Sequence, residues 1–89
     1  MIEVDEELSD VSIDDIIGSK LVVFNDNVNS FEWVIECFVN YLKVGTEQAE
    51  QMAFIIHNKG KYAVKHGSNE ELLPYKTALI DAGLTVEIQ

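Results

Sequence analysis

Hydrophobic and polar positions along the chain follow two periods, which predict strands in some segments and helices in others. A short apolar, β-branched run at 20–24 predicts a buried strand, whereas strict alternation at 84–88 predicts a strand with one buried face. Other segments repeat their apolar residues at helical spacing. The predicted elements are, in chain order, a strand at 20–24, helices at 30–43 and 47–59, a strand at 62–65, a helix at 72–82 and a strand at 84–88.

Capping residues set the expected ends of these helices. Asn29 suits the N-cap of the first helix, because its short polar side chain can accept from a free backbone N–H. Thr46 is the expected cap of the second helix, and Gly60 is its expected C′ residue. Pro74 lacks a backbone donor, so the third helix is expected to begin close before it, at 72–73.

The order of these elements, β-α-α-β-α-β, limits the architecture. The chain of 89 residues is one domain, and three strands in so short a chain cannot be covered on both faces. The economical arrangement is a single sheet with three helices on one face, an α+β two-layer sandwich. We assign an acidic N-terminal extension to residues 1–19 and the core domain to residues 20–89.

Charge is distributed unevenly along the chain. The net charge is −10, and seven of the 16 carboxylates lie in the first 18 residues, which contain no lysine or arginine. Arginine, the usual fork-shaped ligand of phosphate, is absent from the whole sequence. Because phosphate backbones repel such a surface, we do not expect nucleic-acid binding, and a cationic partner or ligand is favoured.

The acidic extension admits two interpretations. Its charge is typical of a flexible solubilising arm, but its interspersed apolar residues also suit an arm that docks on its own domain or on a partner. We expect a mobile arm with local docking through Ile16 and Ile17.

The sequence predicts a cytoplasmic protein without a membrane span. No apolar run reaches the length that crosses a bilayer, and residues 1–7 lack the cationic and apolar regions of a secretory signal. The single cysteine, Cys37, cannot form an internal disulfide, which fits a reducing compartment.

Residues that could perform catalysis are scarce. Cys37 lies in the middle of a predicted helix beside Glu36, and burial and an acidic neighbour both raise a thiol pKa. A packed core cysteine is therefore favoured over a nucleophile. His57 and His66 lack the spacing of a zinc site, and no glycine-rich phosphate loop occurs. We expect neither an enzyme nor a bound metal or cofactor.

Two polar features could meet in a binding site. Asn25, Asp26 and Asn27 directly follow the first predicted strand, and His57 ends an apolar helix face. Alone, the first feature is more typical of a turn and the second of a structural histidine. If the two segments converge, they bring amide, carboxylate and imidazole acceptors together, which suits an ammonium group.

Four motifs spread over residues 21–88 have a distinctive spacing. They are Asn25-Asp26-Asn27, Phe31-Glu32-x-Val34-Ile35, the pair Ala49 and Ala53 ahead of His57-x-x-Gly60-Lys61, and the closing Gly83-Leu84-x-Val86-x-Ile88. Together they resemble the ClpS family, non-enzymatic adaptors that deliver N-degron substrates to the AAA+ unfoldase of the Clp protease. The resemblance implies the ClpS fold with an antiparallel sheet, which also occurs in a ribosomal stalk protein.

The resemblance also implies roles for individual residues. ClpS proteins bind the first residue of proteins whose N-terminus is bulky and hydrophobic. By position, the free α-amino group would be held by Asn25, Asp26 and His57. The side-chain pocket would be lined by Asn29, Phe31, Ala53, Ile56 and Leu84, although Phe31 and Leu84 fit plain core positions equally well. The charged candidates for contact with the unfoldase, of the ClpA or ClpC type, are Glu70 and Lys76.

Three positions depart from the family pattern. Asn27 stands where many members have a second Asp, Phe31 where methionine is common, and Ala53 where a bulkier apolar residue is common. A rigid ring with a small residue opposite reshapes a pocket without deleting it. The alternative function is a degenerate ClpS-like module that binds an AAA+ or dimer partner without recognising N-termini.

Overall fold

The structure, a computed structural model, describes residues 18–89 and gives them three strands and three helices in the predicted order. The strands are β1 (Ser19–Phe24), β2 (Lys61–Gly67) and β3 (Thr85–Ile88). The helices are α1 (Phe31–Cys37), α2 (Thr46–Lys59) and α3 (Asn69–Asp81), and a π-helical segment (Phe38–Leu42) continues α1. The expectations about the N-terminal arm, including docking through Ile16 and Ile17, lie outside the described residues.

The three strands form one antiparallel sheet in the order β2-β1-β3. The central strand β1 is buried from Leu21 to Val23, as its continuous apolar run predicts. A register shift against β2 between Leu21 and Val22 marks a bulge. Edge strand β3 buries Val86 but exposes Thr85 and Glu87, so its predicted alternation is confirmed.

The hydrophobic core lies between one face of the sheet and all three helices. Val23 and Val86 are cross-strand partners, so their side chains point to the same face. The buried residues of this core are Leu21, Val23, Cys37, Phe38, Leu42, Ala49, Met52, Ile56, Leu72, Leu79, Leu84 and Val86. The arrangement confirms the predicted α+β two-layer sandwich, β-α-α-β-α-β, with its helices on one face.

The first helix begins one residue later than predicted and continues as a π-helical segment. Ser30 is its N-cap, and the Ser30 hydroxyl accepts from the backbone N–H of Trp33 at 3.1 Å. The prediction of Asn29 as the cap was wrong, because tertiary contacts engage that side chain. After the π-helical segment, Lys43 adopts a left-handed conformation with φ 61°.

The second helix also begins with an unpredicted cap. Gly45 is the N-cap and Thr46 is the first helical residue, so the prediction of Thr46 as the cap was wrong. At the other end Gly60 has φ 94° and donates its N–H to the carbonyl of Ile56 at 2.8 Å. The predicted glycine C′ residue is therefore confirmed.

The third helix begins at Asn69, ahead of its predicted start. Ser68 and Glu71 form a capping box, in which each side chain accepts from the other residue's backbone N–H. Pro74 consequently lies inside the helix, where it removes the N–H that would bond to the carbonyl of Glu70. Glu70 is exposed, so water can satisfy that carbonyl.

Candidate functional site

A cavity of about 320 Å³ opens between the loop that follows β1 and the C-terminal half of α2. The sequence-predicted site residues that line it are Asn25, Asp26, Asn29, Phe31, Ala53, Ile56 and His57. Asn27 and Val34 are the other lining residues in the described part of the chain. The structure thus brings together all three predicted amine ligands and all the predicted pocket residues except Leu84.

A backbone hydrogen bond joins the two segments that form this cavity. The N–H of Asn25 donates to the carbonyl of Gly60 at 2.8 Å. Gly60 directly follows α2, and its positive φ of 94° turns the chain from the helix into β2. Because His57 lies in the last turn of α2, this connection brings its imidazole to the same cavity as the Asn25 amide.

The carboxylate of Asp26 organises the loop. Its Oδ1 accepts from the backbone N–H groups of Val28 and Asn29, each at 2.9 Å, which closes an Asx turn. Its Oδ2 accepts from the Asn29 side-chain amide at 2.9 Å and from the Thr85 hydroxyl at 3.2 Å. Partial burial acts to raise the pKa of Asp26, but these hydrogen bonds outweigh it and lower the pKa below its usual value. Asp26 is therefore ionised at neutral pH.

Hydrogen bonds tie the loop and α1 to the corner between α3 and β3. The side-chain amide of Asn29 donates to the carbonyl of Gly83 at 2.8 Å, and the Trp33 indole donates to the carbonyl of Ala82 at 3.0 Å. The Thr85 hydroxyl supplies the third bond. Gly83 has φ 101°, and a β-carbon there would lie 3.5 Å from the side-chain oxygen of Asn29. These hydrogen bonds could not be predicted from the sequence, because no local pattern relates positions 54 or 59 residues apart.

The wall of the cavity is apolar inside and partly aromatic at the rim. Ala53 and Ile56 are each 3% exposed, whereas Phe31 is 41% exposed. Val34 is half-buried and Asn27 is exposed, and neither is among the pocket residues predicted from the sequence. Val34 lies three positions after Phe31 on the same helix face, and this spacing was the available signal.

Leu84 and the two charged residues predicted to contact the unfoldase lie outside this cavity. Leu84 is 5% exposed and belongs to the core, which is one of the two positions left open for it. Glu70 and Lys76 line a separate groove together with Leu73 and Ile88. The structure therefore places both charged residues along one groove, outside the cavity that Asn25, Asp26 and His57 line.

Within residues 18–89, the side chains outside the cavity offer little reactive chemistry. Cys37 is buried, and burial together with the charge of Glu36 raises the pKa of its thiol, as predicted. Within residues 18–89, no three His, Cys, Asp or Glu side chains lie close enough to hold a metal ion. No helix in that part of the chain has the length and apolar character needed to cross a membrane.

Comparison with known proteins relates most of the chain to one family. The family model described as "ATP-dependent Clp protease adaptor protein ClpS" matches residues 19–87. A ClpS adapter protein from Thermosynechococcus vestitus is 31% identical over 68 residues, which cover 75% of this chain and 72% of that protein. A ClpS adapter protein from a Nostoc species is 35% identical over 68 residues, with coverages of 75% and 70%.

A solved structure shares the fold. Agrobacterium tumefaciens ClpS2, determined with bound L-phenylalaninamide, matches with a TM-score of 0.78 at 14% identity, covering 81% of this chain and 94% of that chain. At that identity the match concerns the fold alone, whereas the family model and the relatives concern the sequence itself. From the match over residues 19–87 and these relatives, we conclude that the chain belongs to the ClpS family of ATP-dependent Clp protease adaptor proteins.

Proposed function

We propose that this chain binds proteins whose first residue is bulky and hydrophobic, and delivers them to the AAA+ unfoldase of the Clp protease. The observation that carries the proposal is the shared cavity, which is lined by the polar groups of Asn25, Asp26 and His57 and by an apolar wall. Polar acceptors suit a free α-amino group, and an adjacent apolar wall suits the side chain of the same residue.

The size of the cavity supports a single residue as the ligand. A volume of about 320 Å³ lies at the lower end of the roughly 300–1,000 Å³ found for small-molecule pockets. Such a space suits one large side chain with its amino group better than a dinucleotide cofactor. Ala53 contributes only a methyl group to the wall, which leaves depth for an aromatic ring.

The charge of the cavity supports an amine. Asp26 is ionised at neutral pH, and the described residues that line the cavity include no lysine. A free α-amino group carries a positive charge that this lining attracts, and acetylation removes that charge. Neutral His57 offers an acceptor nitrogen, whereas protonated His57 would repel the ammonium.

The ligand of a structural neighbour has the chemistry that this cavity suits. Agrobacterium tumefaciens ClpS2 was determined with L-phenylalaninamide, which has a free α-amino group and an aromatic side chain. The cavity of the present chain offers acceptors for the first group and an apolar wall for the second.

Delivery to an unfoldase needs a second surface. Glu70 and Lys76 line the groove on α3, next to Leu73, which is 54% exposed. They are our candidates for contact with an unfoldase of the ClpA or ClpC type, because the described lining residues of this groove are all different from those of the cavity. The same groove favours the alternative function, a module that contacts an AAA+ or dimer partner without binding N-termini.

Titration with labelled peptides tests the proposal. Peptides with a free N-terminal Phe, Leu, Tyr or Trp should bind, and the same peptides with an acetylated amino group should not. His57→Ala should weaken binding by about 10- to 150-fold, because a hydrogen bond to a charged group contributes about 1.5–3 kcal/mol. His66→Ala is the matched control, since His66 is an exposed histidine on β2 outside the cavity lining.

Two outcomes would contradict the proposal in different ways. Equal binding of the acetylated peptides would show that Asn25, Asp26 and His57 do not hold the amino group. Failure of every peptide to bind, together with binding of the chain to a Clp unfoldase, would favour the alternative interaction module.

A further inference from the structure

The carboxylate of Asp26 is saturated by hydrogen bonds from within the protein. An ionised carboxylate offers about four lone-pair sites on its two oxygens. In this chain Oδ1 accepts from the backbone N–H groups of Val28 and Asn29. Oδ2 accepts from the Asn29 side-chain amide and the Thr85 hydroxyl. The four bonds, at 2.9–3.2 Å, occupy the whole acceptor capacity of the side chain.

We propose that Asp26 is a positioning residue, held by Asn29 and Thr85, and that Asn25 and His57 make the direct contacts to the bound α-amino group. This inference rests on the proposed function and refines its site. Asp26 still contributes its negative charge, which attracts an ammonium over several ångströms without a shared hydrogen bond. We call the three hydrogen-bonded side chains Asp26, Asn29 and Thr85 the loop clamp.

Asn29 joins the loop clamp to the rest of the fold. Its side-chain nitrogen carries two hydrogens, and both are used, one by Asp26 Oδ2 at 2.9 Å and one by the carbonyl of Gly83 at 2.8 Å. Gly83, whose carbonyl accepts this bond, has φ 101°. A residue with a side chain adopts that backbone conformation only under strain. The loop is therefore attached to the α3–β3 corner through a defined backbone position.

The loop clamp orients the neighbouring polar residue. Asn25 precedes Asp26 directly, and its own N–H is bonded to the carbonyl of Gly60. Asn25 is thus held between a backbone bond to the end of α2 and the clamped carboxylate that follows it. A site whose polar groups are held in place before binding loses less conformational entropy when the ligand arrives.

The two possible roles of Asp26 predict opposite effects of removing the Thr85 hydroxyl. If the carboxylate bound the amine directly, the amine would have to displace a donor, and the Thr85 bond at 3.2 Å is the longest of the four. Removing the hydroxyl would then free an acceptor site and tighten binding. If Asp26 positions the loop, removing the hydroxyl loosens the clamp and weakens binding. Asp26→Ala weakens binding in both cases, so it does not discriminate between them.

Peptide binding by Thr85→Val is therefore the test. Valine replaces the hydroxyl with a methyl group of similar shape and suits a strand. We expect the affinity for a peptide with N-terminal Phe to fall about three- to tenfold, less than the full contribution of a bond to a charged group, because Thr85 is exposed. Equal or tighter binding by Thr85→Val would overturn the inference.

Two variants control for side-chain chemistry and for the substitution itself. Thr85→Ser keeps the hydroxyl and should therefore recover most of the affinity that Thr85→Val loses. Thr77→Val makes the same change at an exposed position on α3 outside the cavity, and should also bind like the wild type. Thermal unfolding checks that each variant is folded, and Thr85→Ala removes the same hydroxyl if valine disturbs β3.

A measurement without peptide separates this inference from the proposed function. The pKa of Asp26, followed by an NMR titration of its carboxyl carbon, lies below its usual value in the wild type and should rise in Thr85→Val, because one of the bonds that lower it is lost. An unchanged pKa would overturn the clamp. If the wild type binds no peptide, the proposed function fails and the assigned amine contacts fail with it. If the wild type binds and Thr85→Val binds equally well, only the positioning role fails.

Discussion

Replacing Ala53 with methionine should narrow the cavity and change which N-terminal residues it accepts. Ala53 lines the cavity from α2 and is only 3% exposed, so a longer side chain there must extend into the cavity or displace its core neighbours. Methionine is a good helix former with a flexible side chain, so α2 should persist in the variant.

The expected magnitude follows from the volumes. Methionine adds three non-hydrogen atoms, which occupy about 90 Å³ if each takes roughly the 30 Å³ share of a water molecule. That volume is more than a quarter of the cavity of about 320 Å³. Overpacking a protein core costs about 1–3 kcal/mol, and a similar cost on fitting the largest side chain into the narrowed cavity would lower its affinity about 5- to 150-fold. The smaller leucine side chain should lose considerably less affinity.

Fluorescence anisotropy with peptides that begin with Trp, Phe or Leu measures this selectivity. The dissociation constant for the Trp peptide, divided by that for the Leu peptide, should rise in Ala53→Met. Ala78→Met is the matched control, because Ala78 is a half-buried alanine on α3 outside the cavity lining. An unchanged affinity for the Trp peptide would refute the volume argument, and an equal loss for all three peptides would indicate general damage to the site.

Three further predictions concern charge, the α3–β3 corner and acid stability. Asn27→Asp adds a second negative charge to the cavity lining and should tighten peptide binding several-fold at low salt, by an amount that shrinks as the ionic strength rises. Trp33→Phe keeps an aromatic ring but removes the donor to the carbonyl of Ala82, and should lower the free energy of unfolding by about 0.5–1.5 kcal/mol in a urea titration followed by circular dichroism. The pKa of Asp26 is lowered in the folded state from its ordinary value of 3.8, so its contribution to stability is present above that value and is lost as the pH falls through the folded-state pKa. Urea titrations across the acid range should therefore show a steeper loss of stability for the wild type than for Asp26→Asn.

Each of these predictions has a control or an outcome that would contradict it. The control for Asn27→Asp is Asn40→Asp, which adds the same charge on the π-helical segment, outside the cavity lining, and should leave peptide binding unchanged. Tightening by Asn27→Asp that persists at high salt would show that the effect is not Coulombic. An unchanged unfolding free energy for Trp33→Phe would mean that the indole bond contributes nothing. If the unfolding free energies of the wild type and Asp26→Asn fall in parallel as the pH is lowered, groups other than Asp26 cause the loss of stability in acid.

Secondary structure was predictable where a segment's burial follows from its own periodicity. The buried run of β1, the alternation of β3 and the C-terminal glycine of α2 all agree with local patterns. The helix starts were harder to predict, because several short polar residues compete for each cap. Asn29 and Ser30 are adjacent and both suit an N-cap, and the carbonyl of Gly83 decides between them by engaging the side-chain amide of Asn29.

The residues of the candidate site could likewise be predicted from the sequence only in part. Asn25, Asp26 and His57 could be selected from the sequence, because polar residues at the end of a strand and of an apolar helix face stand out, and because their spacing resembles that of a known family. The position of Leu84 could not be decided, since a core residue and a pocket wall have the same apolar pattern. Only the packed structure shows that Leu84 lies in the core.

The sequence by itself determined the order of strands and helices, the faces that they bury, the acidity of the chain and the polar residues available for an amine. These properties depend on the periodicity and chemistry of residues close together in the chain. The tertiary structure decided which groups meet. Asp26 is bonded to Thr85, 59 residues away, and Asn29 to Gly83, 54 residues away. Such contacts depend on how the loop packs against a distant corner, and for that reason only the folded chain distinguishes a carboxylate that is free to bind an amine from one that holds the loop in place.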